Sequence, residues 1–170
     1  MTGDAMWYEA AQVVGITNAL NVVADTLGVL GALDETAAPA EVRDLFADIR
    51  DFYQSSDVPL GFRFIAHDVA YASDVWAATK HAFADHRLSR RLKEALAFAV
   101  SMTTRSASGA ELHLSQMRRL GVSSQGVMEI VGVTQMFSSY TKIADTLQLE
   151  PDMGDIAPVD STPAPGGPMP

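Results

Sequence analysis

From Met6 to about Gln148 the apolar residues of this chain recur at every third and fourth position, and only Pro39 and Pro59 interrupt them before Pro151. Strand-type alternation bounded by hairpin turns is missing. That period predicts an all-α protein. The chain has 170 residues, 48% of them hydrophobic, which is enough to bury the core of one ordinary domain without disulfide or metal staples.

The helix signals divide the chain. A long apolar segment, Met6 to Leu33, carries Gly15 and Gly28 inside it and ends in the Asp34–Pro39 stretch. Pro39 can sit in the first turn of a second helix to about Tyr53, with Val42, Leu45, Phe46, Ile49 and Phe52 on one face. Ser55 to Asp57 begin a loop, and Pro59 opens a region of short helices through Phe83, with a break expected near Val69 to Ser73. Ser89 caps a helix over Arg90–Thr103. The next runs from Ser106 or Ser108 to Leu120, where Gly121 stops it, and the last from Ser123 or Ser124 to about Gln148.

This gives residues 1–57 as a helical extension packed on a core of residues 58–150. Residues 151–170 hold six of the eight prolines and form a tail that cannot build a packed core. The stretch Val13-Val14-Gly15-Ile16-Thr17 is echoed by Ile130-Val131-Gly132-Val133-Thr134, as a duplicated helix would be, and also as chance would allow among small apolar residues.

Composition removes several functions. A net charge of −9 and no long basic run would repel a nucleic-acid backbone. The chain contains no cysteine, so it has no disulfide, no thiolate nucleophile and no sulfur ligand for a metal. No apolar run reaches membrane-spanning length, and the opening MTGDAMW has an acid where a signal peptide is positive, so a cytoplasmic protein without membrane contact is expected.

The segment Thr104 to His113, TRSASGAELH, keeps the frame of a thiol site without its thiols. Glu94, Ser106, Gly109 and His113 have the spacing of the redox motif E-x11-C-x-x-C-x-x-x-H. With VPLGFRFIAHDVAYASDVW, LSRRLKEALAFAVS and HLSQMRRLGVS around it, the stretch from Val58 to Glu150 resembles the alkylhydroperoxidase D and carboxymuconolactone decarboxylase superfamily. The resemblance implies an alkylhydroperoxidase D-like helical bundle, here with an extra N-terminal helical pair, commonly assembled as a trimer or hexamer. It also implies that Glu94 and His113 match the family's proton relay, that Ser106 and Gly109 match its two cysteines, and that Ser108 falls where some members hold a further His. The peroxidase cycle cannot carry over. The non-redox decarboxylase branch, acting on small lactone acids, remains as precedent.

The residues themselves allow acid–base chemistry. Ala97 and Phe98 share the face of Glu94, so its carboxylate should be partly desolvated and able to act as a general acid or base; the plainer reading pairs it with Arg90 or Arg91. His113 shares a face with Ser106, Gly109 and Leu120. A glycine inside a helix costs about 0.5–1 kcal/mol relative to alanine, so Gly109 signals close helix packing or space for a ligand beside the imidazole. Ser106 lies two turns from His113, ~10 Å along the axis, too far to be its nucleophile. Ser108 is off that face and suits a helix N-cap, though either hydroxyl could orient a substrate. His67, His81, His86 and His113 show no i, i+4 pair, so neither a metal nor another cofactor is expected.

Two functions follow. One is a thiol-independent, lyase-like enzyme in which Glu94 and His113 are catalytic and Ser106, Ser108 and Gly109 bind substrate. It would act on a small organic acid or lactone-like metabolite by decarboxylation, isomerisation, elimination or hydrolysis. The other is a non-catalytic oligomeric scaffold or small-molecule binding protein with a decayed peroxidase site. Either is expected to be a homo-oligomer, since the first helix is more apolar than one small domain easily covers.

Overall fold

Helices α5 (Arg90–Thr103) and α6 (Ala107–Arg119) form an antiparallel hairpin, and the rest of the bundle is arranged around it. In the computed structural model, which describes residues 3–149, they are preceded by α1 (Gly3–Thr26), α2 (Ala40–Tyr53), α3 (Leu60–Ile65) and α4 (Val69–Phe83) and followed by α7 (Ser124–Leu147). No strand occurs among the described residues. The Pro-rich stretch 151–170 lies outside them. No helix among them is long and apolar enough to cross a membrane.

Capping sets the boundaries. Asp68, Ser89, Ser106 and Ser123 each accept a backbone N–H of the following first turn, starting α4, α5, α6 and α7. Ser106, not Ser108, is therefore the cap of α6. The break before α4 falls at Ala66–Asp68, three residues ahead of the expected place, because the Asp68 side chain takes the Tyr71 N–H. The first helix stops at Thr26 instead of reaching Leu33. A 3₁₀ turn, Leu27–Leu30, follows it, and Gly31 adopts a positive φ of 73° that ends the helical path.

One core lies between α2, α3 and α4, built on Phe46, Ile49, Tyr53, Phe62 and Trp76. It is the face expected on α2, except that Tyr53 is fully inside and Phe52 only half-buried. A second cluster joins Val13, Ala82, Phe83 and Ala97 from α1, α4 and α5.

Helix α1 inverts the expectation of an apolar helix pressed on a core. Its most buried residues are Glu9, Val13, Thr17 and Asn21, four apart, while Trp7, Tyr8 and Val22 are exposed. The polar groups are accepted inside because partners wait there. Glu9 receives the backbone N–H groups of Arg87 and Leu88 and lies 3.3 Å from the buried Lys93 ammonium. Lys93 also donates to the Ala84 carbonyl at the end of α4. The echoed segments of the sequence fall in α1 and α7, both of which pack on α5; Val13 and Thr17 are buried, whereas α7 buries no residue fully.

Candidate active site

Glu94 and His113 face each other across the α5–α6 hairpin. The His113 Nδ1 lies 2.7 Å from the Glu94 Oε2, and the other carboxylate oxygen accepts from the Arg90 Nε at 2.6 Å. All three are nearly buried, and Glu94 is completely so. A carboxylate between a guanidinium and an imidazole can only accept, so the Nδ1 carries the hydrogen, and in the neutral ring the Nε2 is then the nitrogen with the lone pair.

Aromatic rings hold this row in place. Phe83 stacks parallel to the His113 ring at 5.8 Å between centroids. The Arg90 guanidinium sits 4.2 Å from the Phe52 ring and 5.1 Å from that of Phe83. Burial, and then the Glu94 charge, raises the Tyr53 phenol above its ordinary range, so it stays protonated.

His113 lines a half-open cleft between α1, α3 and α6 of about 30 Å³, room for one or two water-sized groups. Its walls are mainly apolar, with Leu20, Leu60, Phe62 and Leu112 among them. Thr17, Asn21, Tyr53 and Ser108 add polar groups. Glu94 and Arg90 do not line it.

Helix α1 runs antiparallel to α6 and meets it step by step. The Ser106 hydroxyl donates to Asp25 at 3.2 Å. One turn on, Asn21 lies over Gly109 and donates from Nδ2 to Ser101 and Thr104. A further turn brings Thr17 and His113 to the same cleft.

The carboxymuconolactone decarboxylase family profile matches residues 70–149, the span holding Glu94, Ser106, Gly109 and His113. Over this segment the chain is similar to that family. The fold agrees: the alkylhydroperoxidase AhpD core from Rhodospirillum rubrum superposes with a TM-score of 0.65 at 23% identity, covering 71% of this chain and 91% of that one. No curated protein matches the sequence.

The site differs from what the motif spacing suggested. Glu94 does not line the cleft; it touches Arg90 and His113 together, so the expected pairing with Arg90 stands beside a contact to the imidazole. Gly109 does not leave room beside the imidazole, since the space a side chain would need is filled by Asn21 and Ser101. Close packing is its reason. Ser106 is buried and committed to capping α6 and to Asp25, while Ser108 does line the cleft. Met128 and Met136 do not line this cleft; both are more than half exposed on α7.

Thr17, Asn21, Tyr53 and Phe83 belong to the site and carry no motif. Glu9, Thr17, Asn21 and Asp25 recur at multiples of four along α1, but Asp4, Gln12 and Asn18 lie off that row and blur it.

Proposed function

We propose that this chain is a thiol-independent enzyme of the carboxymuconolactone decarboxylase-like group that moves protons on a small organic acid or lactone-like metabolite. His113 is the catalytic base and conjugate acid, working through Nε2. Glu94 is a positioning residue: it fixes the tautomer, orients the ring and balances the imidazolium formed when a proton is taken. The observation that supports this is the 2.7 Å bond from His113 Nδ1 to a carboxylate behind the ring, on a histidine that also lines a mainly apolar cleft. Thiol–disulfide cycling is excluded, since the chain has no cysteine.

The same reading has the protein assembled as a trimer or hexamer of identical chains. Helix α7 supports it, with Met128, Val133, Met136, Phe137 and Tyr140 each more than half exposed, an apolar surface too large for a helix facing water alone.

A suitable test uses α-angelica lactone, a small unsaturated lactone with an acidic C–H beside its carbonyl. Deuterium entry at that carbon in D₂O, followed by NMR, should be accelerated by the wild type and fall to background in His113→Gln. Equal rates for the two proteins would instead support the non-catalytic scaffold or binding protein.

A further inference from the structure

Thr17 stands out among the hydroxyl groups of this chain. It is 1% exposed, and its Oγ1 has no hydrogen-bond partner among the described residues. Other helical threonines donate to the carbonyl four residues before them: Thr26 to Val22, Thr79 to Val75, Thr134 to Ile130, Thr141 to Phe137 and Thr146 to Lys142. Thr17 has the same opportunity at Val13 and does not use it. The neighbouring buried hydroxyls are satisfied, Ser101 by the Ala97 carbonyl and Ser106 by Asp25. A buried hydroxyl without a partner costs free energy, and such groups persist where a ligand supplies the missing bond.

Its position indicates which ligand. The antiparallel register of α1 on α6 pairs Asp25 with Ser106 and Asn21 with Gly109, which puts Thr17 level with His113 at the cleft both line. Among the described residues no lysine, arginine, aspartate or glutamate lines that cleft, and Glu94 and Arg90, on the far side of the imidazole, are engaged with each other. A carboxylate entering here would lose its water and meet no cation, a large cost. An uncharged carbonyl would lose little.

We infer that Thr17 is the carbonyl-binding residue of this site and that the head group it accepts is uncharged: a lactone, ester or ketone, not a free carboxylate. The inference rests on the reading of His113 as the base. The Thr17 Oγ1–H donates to the carbonyl oxygen, and the His113 Nε2 faces the adjacent carbon. There a C–H bond breaks, an N–H bond forms on the imidazole, and the electron pair passes into an enolate whose oxygen stays on Thr17. The proton then returns from the imidazolium to carbon, so that no outside oxidant, reductant or metal enters the balance. The space of about 30 Å³ takes the carbonyl oxygen and the carbon beside it, with the remainder of the molecule in the open mouth beside Leu20 and Leu60.

The test titrates γ-valerolactone, neutral and unreactive, and pentanoate, its carboxylate counterpart, into wild type, Thr17→Val and Thr17→Ser, with binding read by protein NMR. The lactone should bind wild type and Thr17→Ser alike and Thr17→Val about five- to tenfold more weakly, as loss of one buried hydrogen bond implies. Pentanoate should bind more weakly than the lactone to wild type. Thermal unfolding of Thr17→Val should be no lower than wild type, because the variant removes an unpartnered hydroxyl. Equal lactone affinity in Thr17→Val, tighter binding of pentanoate, no lactone binding at millimolar concentration, or a Thr17→Val protein several degrees less stable would each overturn the assignment. Failure here is separable from failure of the base. Deuterium exchange lost in His113→Gln alongside unchanged lactone binding in Thr17→Val removes Thr17 and keeps the base. Thr17-dependent binding with exchange unaffected by His113→Gln keeps the carbonyl site and removes the base.

Discussion

Asn21 rests directly on Gly109: a β-carbon at position 109 would overlap its Oδ1 and stand 2.7 Å from the Ser101 hydroxyl. Asn21 cannot simply swing away, since its Nδ2 is held by Ser101 and Thr104 at 3.1 and 3.0 Å. Gly109→Ala should therefore destabilise the protein by about 1–2 kcal/mol in urea unfolding, overpacking outweighing the ~1 kcal/mol gain in helix propensity. Combining it with Asn21→Ala should cost less than the sum of the two single changes. The same overlap means that Ser106→Cys with Gly109→Cys will not rebuild a peroxidase on this backbone.

Glu94 has two oxygens and two donors to serve. Glu94→Ala leaves the Arg90 guanidinium buried among aromatic rings without its carboxylate, and should cost about 3 kcal/mol or more. Glu94→Gln keeps the volume, yet an amide offers one oxygen where two are needed. The imidazole then loses its fixed Nδ1–H tautomer. Lactone exchange should fall about a hundredfold or more while the fold, read by circular dichroism, is retained.

The buried end of α1 gives a pH dependence. Backbone N–H groups of Leu88 and Arg87 and the Lys93 ammonium hold the Glu9 carboxyl at about 2, below its ordinary 4.5. A carboxyl lowered on folding lends stability that is complete above about 4.5 and lost as the pH falls toward 2. Wild type should thus be more stable than Glu9→Gln at pH 7, and the gap should narrow below pH ~4. Parallel denaturation curves for the two proteins across that range measure it; a gap that stays constant contradicts the assignment.

The exposed side of α7 should be covered in solution. Light scattering on the purified protein is expected to give a multiple of the 18.2 kDa chain mass. Phe137→Asp should shift it toward the monomer without unfolding the α5–α6 hairpin.

Much of this was legible in the residues. The serine cap at 89 and the face of α2 from Val42 to Ile49 follow from capping and period alone, the cap at 123 was one of two candidates with Ser124, and the partnership of Glu94 with His113 was implied by the family resemblance. The contribution of α1 was hidden because its hydropathy suggests an apolar helix, whereas the buried stripe is polar. What makes Glu9 and Asn21 acceptable inside is the set of partners on α5 and the loop before it, distant in sequence. Gly109 was ambiguous for the same reason: a glycine declares that something comes close, and only the packing of α1 on α6 says that it is Asn21.

The proposed chemistry needs the His113 Nε2 bare toward the cleft, and ¹⁵N NMR of the imidazole reads that directly. With Nδ1–H donated to Glu94, the neutral ring should show a protonated Nδ1 and an unprotonated Nε2 in wild type, and should lose that preference in Glu94→Gln. A neutral ring protonated at Nε2 in the wild type would contradict it, because no lone pair would then face the cleft.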